Sequence, residues 1–221
     1  MGIYSKNGPT VAYFCMEYGL DESLRIYAGG LGILAGDLLK AARELKYPLI
    51  GIGLLWKRGY TQQLINDDCR PYDSYPVCRK IYNHLIDTGI KVQVPIERNK
   101  ITCQVWKLAG FHNNPLYLLD TNLPENSSHY NLTDKLYNGA EEDRIAQEII
   151  LGIGGIRALR KLKINVDLYH LNEGQTALAG LELIREKMKN GLSFREAWNS
   201  TRQEIVFTTH TPVREGNESH Q

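Results

Sequence analysis

Apolar residues follow two rhythms along this chain. Val11-Ala12-Tyr13-Phe14-Cys15 is a continuous apolar run, and so is Pro48-Leu49-Ile50-Gly51-Ile52-Gly53-Leu54-Leu55. Unbroken runs of this length suit parallel strands covered on both faces. Between them, Leu38 to Leu45 has helical spacing. Strand, glycine-rich turn, helix and strand make a βαβ crossover, which predicts an α/β sheet. The middle of the chain changes rhythm. Lys91-Val92-Gln93-Val94-Pro95-Ile96 and Ile101-Thr102-Cys103-Gln104-Val105-Trp106-Lys107-Leu108 alternate with period two around the polar break Glu97-Arg98-Asn99-Lys100. That pattern predicts an antiparallel hairpin with one solvated face. Pro115 to Asp120 reads as a further strand. Asp67 to Tyr82 and Thr121 to Asn138 carry little pattern and read as surface excursions, where binding residues often sit.

The last third returns to helix–strand alternation. Glu141 to Leu162 is a helix with acidic residues in its first turn and basic ones in its last, which matches the helix dipole. Gly152, Gly154 and Gly155 interrupt it, each at about 1 kcal/mol in helix propensity, so close packing against a neighbour is expected there. Val166 to Leu171 is a strand that ends at Asn172-Glu173-Gly174-Gln175. Thr176 to Lys189 is a helix with Ala177, Leu181 and Ile184 along one face, and Ser193-Phe194-Arg195-Glu196 opens another with a capping box. Glu204 to Thr209 is the last strand, followed by His210-Thr211-Pro212.

Composition narrows the function classes. The chain has 221 residues, 43% hydrophobic and 23% charged, which suits a globular core. Lys+Arg (26) and Asp+Glu (25) nearly cancel, so neither a nucleic-acid nor an anionic-membrane partner is expected. No apolar run is long enough to span a membrane, and the first residues lack the apolar core of a signal peptide. The four cysteines, Cys15, Cys69, Cys78 and Cys103, have no zinc-type spacing, so no metal is expected. Cys15 reads as a small buried hydrophobe. A reducing cytoplasm is the simplest compartment.

The densest chemical signal is Tyr27-Ala28-Gly29-Gly30-Leu31-Gly32 at the mouth of a helix. Backbone N–H groups there lack intrahelical partners and the dipole is positive, so glycines admit an anion. The competing reading is a tight turn with glycines for steric reasons alone. Glu17, Asn172 to Gln175, and His210-Thr211 all fall at or just after strand C-termini, where open α/β sheets bind ligands. Each also has an ordinary reading: Glu17 as a cap or salt-bridge partner, His210 as a hydrogen-bonded strand-end histidine.

The segments VAYFCMEYGLDESL, IYAGGLGILAGDLLKAARELKYPLIGIGLLWKRGYTQQ, PLYLLDTNLPENS, RIAQEIILGIGGIRAL, VDLYHLNEGQTALAGLELI and VFTTHTPVREGNESH resemble, in order, the N-terminal part of bacterial α-glucan phosphorylases of the short type. The resemblance implies that residues 1–221 form part of the Rossmann-like N-terminal lobe of a two-lobed GT-B glycosyltransferase, with an inserted antiparallel hairpin and without the second lobe. It implies reversible, retaining phosphorolysis of terminal α-1,4-linked glucose in glycogen or maltodextrin to glucose 1-phosphate, with pyridoxal 5′-phosphate as cofactor. Gly29, Gly30, Leu31 and Gly32 match the family's glycine loop beside sugar and phosphates, and Glu17 matches the acidic residue of its first-strand motif. Asn172, Glu173 and Gly174 match the loop beneath the glucose ring. His210 and Thr211 match a block lining the cleft.

Two departures stand out. Gln175 stands where the family usually has a histidine that bonds a sugar hydroxyl; glutamine keeps a donor and an acceptor but cannot become charged. Leu38 also replaces a frequent histidine. The lysine that binds the cofactor belongs to the absent lobe, and Lys40, Lys46 and Lys57 read as surface charges. A truncated phosphorylase is therefore expected, inactive alone, with self-association or a second chain covering an unpaired sheet edge. The rival readings are a sugar-nucleotide glycosyltransferase of the glycogen synthase kind and a non-catalytic glycan-binding or regulatory module. A dinucleotide-binding dehydrogenase fits poorly, because Gly29-Gly30-Leu31-Gly32 lacks G-x-G-x-x-G spacing.

Overall fold

The computed structural model describes residues 8–137, 140–210 and 212. In chain order the elements are β1 (Val11–Phe14), α1 (Gly30–Glu44), β2 (Leu49–Leu54), β3 (Gln62–Ile65), β4 (Pro71–Ser74), β5 (Leu85–Ile96), β6 (Asn99–Leu108), β7 (Leu116–Asp120), α2 (Glu141–Ile149), α3 (Gly155–Lys161), β8 (Leu168–Asn172), α4 (Leu178–Lys189), α5 (Phe194–Arg202) and β9 (Ile205–Thr208). Seven strands form one sheet in the order β5-β6-β7-β2-β1-β8-β9. The run from β7 to β9 is parallel, and β5 and β6 extend it as an antiparallel edge. This is the mixed α/β architecture that the apolar runs predict. The hairpin is part of the main sheet, and one face of β5 is exposed along most of its length.

The central strands are buried on both faces, as their unbroken apolar sequence requires. Leu39 of α1 packs beside Gly51 on one face. Gly155 packs against Phe14 and Ile52 on the other. A Cβ at Gly155 would stand 2.5 Å from Phe14 Cε1, one at Gly154 2.9 Å from Leu119 Cδ2, and one at Gly152 2.5 Å from the Ala179 nitrogen. The three helix glycines therefore let α3 meet the sheet and let α4 meet the preceding turn. That preceding turn, Ile150–Gly154, is a π-helical insertion between α2 and α3, a distortion that residue spacing does not reveal. Glu182, buried on α4, is held by Arg157 from α3 and by Arg185, both at 2.7 Å. Burial alone would raise its pKa, but hydrogen bonds from Arg185 and Arg157 outweigh this and leave it lowered. The capping box forms as expected, with Ser193 and Glu196 bonded reciprocally.

Four expectations need correction. The glycine segment is not a loop ahead of a helix that begins near Leu38. Helix α1 starts at Gly30, with Gly29 as its N-cap, and Ile33 N–H already donates to Gly29 carbonyl. The unpatterned stretch from Asp67 holds β4, which pairs with β3 in a separate two-stranded hairpin. Its residues are mostly exposed, so no apolar alternation marks it. Strand β5 begins at Leu85, upstream of the alternating segment, because a register shift between Asp87 and Ile90 breaks the pattern. Finally, α4 buries Ala179, Glu182, Leu183 and Ile184, while Ala177 and Leu181 are exposed. Leu181 joins Trp198 and Ile205 along an apolar groove between α4, α5 and β9. Strand β9 is the parallel edge of the sheet and exposes Val206 and Phe207.

Not all the α1 glycines do the same work. A Cβ at Gly36 would lie 2.1 Å from the Gly19 carbonyl oxygen, a backbone atom that cannot move aside cheaply. At Gly30 it would meet nothing within 4 Å. Gly36→Ala is expected to lose about 1–3 kcal/mol despite alanine's better helix propensity. Gly30→Ala is expected to hold stability or gain up to about 1 kcal/mol. Urea unfolding midpoints of the two variants check both.

Candidate functional site

The winding direction sets the site. From β1 the chain passes to β2 and β7 on one side, then returns to β8 and β9 on the other. Adjacent strands β1 and β8 therefore flank the topological switch point, and ligands of open α/β sheets bind outside the carboxyl ends of such strands. Beyond β1 come Cys15, Met16 and Glu17, and beyond β8 come Glu173, Gly174 and Gln175. The exit of β1 is held rigidly. Trp56 Nε1 donates to Met16 carbonyl at 2.8 Å, and the Tyr18 hydroxyl lies 2.8 Å from Tyr13 carbonyl and 3.0 Å from Ile52 carbonyl.

Glu17 is 3% exposed and fully engaged. Its Oε2 accepts N–H groups from Ala28 at 2.5 Å and Gly29 at 3.3 Å, and its Oε1 accepts the Tyr137 hydroxyl at 2.7 Å. The cap reading of Glu17 is thus realised: an internal carboxylate sits at the positive end of α1. Gly32 N–H donates to Gly29 carbonyl at 3.2 Å, while Gly30 and Leu31 N–H groups have no backbone acceptor among the described residues. The glycines divide by role. A Cβ at Gly32 would lie 2.4 Å from Tyr27 Cβ and 2.8 Å from Glu17 Oε2, so Gly32 is required for packing. Gly29 and Gly30 border open space, as does Gly174 across the switch point. The steric reading of the segment therefore holds for Gly32 and not for Gly29 or Gly30.

On the β8 side, Asn172 is buried, and its Nδ2 donates to Cys15 Sγ at 3.1 Å. Burial raises the Cys15 thiol to about 12, in keeping with a packing role. The Asn172 Oδ1 and Gln175 Oε1 atoms are buried without a hydrogen-bond partner. Unpaired buried acceptors are costly. Glu173 differs from its neighbours. Its φ of 65° and ψ of 168° lie in a region nearly restricted to glycine. Its carboxylate turns toward β9, accepting the Thr209 hydroxyl at 3.1 Å and the His210 N–H at 2.5 Å. Glu173 therefore fastens the segment after β9 to the segment after β8. His210 is exposed at that junction. Thr211 lies outside the described residues.

Two site residues escape a reading of the sequence. Tyr137 closes the Glu17 network from a stretch without periodicity, and only its turn-like Asn138-Gly139 sequel hints at its position. His170 sits within β8, with its ring edge-on to Tyr13 at 4.9 Å and its Nε2 2.8 Å from Thr208 Oγ1. A histidine near the end of an apolar strand is its only sequence signal. Among the described residues no group of three His, Cys, Asp or Glu side chains is arranged to hold a metal ion.

Burial, then the neighbouring His210 charge, lowers the His170 pKa below its ordinary 6.5. The unfolded chain then binds the extra proton first, so this contribution to stability is intact above about pH 6.5 and is lost as pH falls below it. Between pH 7.5 and 5.5 the wild-type urea midpoint is expected to drop more than that of His170→Gln. Equal drops in the two proteins would remove His170 as the cause.

No protein-family model matches the chain. The chain is 43% identical over 222 residues to maltodextrin phosphorylase of Thermococcus litoralis, covering 97% of itself and 27% of that protein. It is 40% identical over 230 residues to glycogen phosphorylase of Mycobacterium tuberculosis, covering 97% of itself and 26% of the relative. With glycogen phosphorylase of Aquifex aeolicus the identity is 36% over 211 residues, covering 92% of this chain and 30% of the relative. Nearly all of this chain is thus related to the α-glucan phosphorylases, and it spans about a quarter to a third of the length of these relatives.

Proposed function

We propose that this chain forms part of the N-terminal, Rossmann-like lobe of an α-glucan phosphorylase of the two-lobed GT-B kind, and that the β1–β8 switch point is its wall of the glucose and phosphate site. One observation carries the reading. The Gly30 and Leu31 N–H groups, at the start of the helix that follows β1, have no backbone acceptor among the described residues, and Asn172 Oδ1 and Gln175 Oε1, at the carboxyl end of neighbouring β8, are buried without a hydrogen-bond partner. The N–H groups suit an anionic oxygen at a helix N-terminus, and the two acceptors suit hydroxyl donors. A sugar phosphate offers both. Gln175 can accept from a sugar hydroxyl without ionising, so its replacement of histidine is compatible with this role.

In the proposed reaction a terminal α-1,4-linked glucose of glycogen or maltodextrin passes to inorganic phosphate, giving glucose 1-phosphate with retention. Fixed dipoles facing the sugar and phosphate are the contribution expected of this wall. Pyridoxal 5′-phosphate is the cofactor that the family resemblance implies. An aldimine needs a lysine beside the site, and no described lysine is buried. Lys57 pairs with Asp134 at 3.6 Å, Lys135 lies over the Tyr75 ring, and Lys46 is exposed. The residues here do not fit that linkage, and no step is assigned to the cofactor in this chain. The exposed edge of β9 and the apolar groove beside it are where a second copy or a second chain would add. No helix among the described residues is long and apolar enough to cross a membrane.

The test is a titration of the isotopically labelled chain with glucose 1-phosphate. Shifts of the Gly30 and Leu31 amide resonances are expected, with a dissociation constant of about 1 mM or weaker for half a site. Incubation with maltoheptaose and phosphate is expected to release no glucose 1-phosphate. Steady release by the pure chain would overturn the second expectation. Maltoheptaose binding with no response to glucose 1-phosphate would favour a glycan-binding module. A larger rise in melting temperature with ADP-glucose than with phosphate would favour a sugar-nucleotide enzyme.

A further inference from the structure

Tyr137 lies 120 residues from Glu17 in sequence, yet its hydroxyl donates to Glu17 Oε1 at 2.7 Å. The other carboxylate oxygen accepts the Ala28 and Gly29 N–H groups. One carboxylate is thereby held from opposite sides by the phenol and by the entry of α1. The phenol is itself anchored. Lys57 N–H donates to Thr133 carbonyl at 3.0 Å, Arg58 N–H to Asp134 carbonyl at 2.8 Å, and Leu136 N–H to Arg58 carbonyl at 3.1 Å. Trp56, just before this anchor, bonds back to Met16 beside Glu17. Tyr137 completes the ring with a φ of 53°, in the left-handed region that a bulky residue rarely adopts. Such an outlier persists only where its surroundings hold it. Gln175 is a further polar neighbour of the same phenol, reaching it from the β8 side.

We propose that Tyr137 is a positioning residue for the switch-point site. Its hydroxyl fixes Glu17 so that the carboxylate takes Ala28 and Gly29 and leaves the Gly30 and Leu31 N–H groups to the ligand. The physical reason is competition. A carboxylate beside a helix N-terminus is attracted to every free N–H of the first turn. Without the phenol, Glu17 is free to swing toward Gly30 and Leu31 and to occupy the donors that an anionic oxygen needs. Tyr137 thus restrains an internal competitor. Only the identity of the ligand rests on the sugar-phosphate reading; the restraint on Glu17 does not.

The test compares wild type with Tyr137→Phe as full 221-residue chains by amide NMR, with glucose 1-phosphate as the probe. Removal of the hydroxyl is expected to shift the Ala28 and Gly29 resonances and to weaken glucose 1-phosphate binding at least threefold. Tyr130→Phe is the control: its phenol accepts from Asn99 Nδ2 at 2.6 Å, away from Glu17, and it should leave both readouts unchanged. In Glu17→Gln the Tyr137 ring resonances should move while those of Tyr130 stay, a readout that survives if Tyr137→Phe does not fold. Unmoved Ala28 and Gly29 resonances in Tyr137→Phe would overturn the proposal. So would unchanged affinity in the face of moved resonances, or equal effects from Tyr130→Phe. If wild type itself ignores glucose 1-phosphate, the proposed function fails instead, and the amide and ring resonances alone decide whether Tyr137 holds Glu17.

Discussion

Val11–Phe14 hydrogen-bonds along both edges, to Leu49–Ile52 on one side and to Leu168–Leu171 on the other, and is buried throughout. A strand in that position requires cover on both faces, and the cover must come close. The chain meets that constraint with small residues where helices approach: Gly155 against Phe14, Gly51 beside Leu39 of α1, and Gly36 against the Gly19 backbone. Each close contact excludes a Cβ, so the layers hold together by van der Waals packing at short range. The same strand is where winding reverses, so the requirement that builds the core also opens the crevice beyond Phe14.

What lies in that crevice follows from how polar groups are satisfied. Helix α1 begins with N–H groups that have no backbone acceptor among the described residues, and the protein neutralises part of that positive end with its own Glu17. The Ala28 and Gly29 N–H groups are therefore already taken by an internal carboxylate. Across the crevice, Glu173 joins the ends of β8 and β9 while Asn172 and Gln175 keep unpaired oxygens.

The fold was largely legible because parallel strands need unbroken apolar runs and exposed hairpins need alternation. Both patterns are present at β1, β2 and β5–β6. The β3–β4 pair was not legible, since two short, exposed strands bury too little to leave a periodic trace. The face of α4 was misjudged for a related reason. Glu182 is buried because two arginines reach it from different turns, whereas Leu181 is exposed beside an edge strand. The local sequence cannot tell which apolar residue of a helix finds a neighbour.

The candidate site was legible in part. Glu17, the glycine segment and Asn172 to Gln175 stood out because strand ends and helix starts are local events. Tyr137 did not, because its meaning is a hydrogen bond across 120 residues of chain. The sequence by itself determined the chain order of the main-sheet strands and their helices, the polar groups at strand ends and the kinship with phosphorylases. Only the tertiary structure decided which glycines are for packing and which border open space. It also decided that Glu173 turns toward β9 and that Glu17 is restrained from a distance. Local patterns report what each segment prefers; the partners of a buried carboxylate are set by which distant segments packing brings within hydrogen-bond reach.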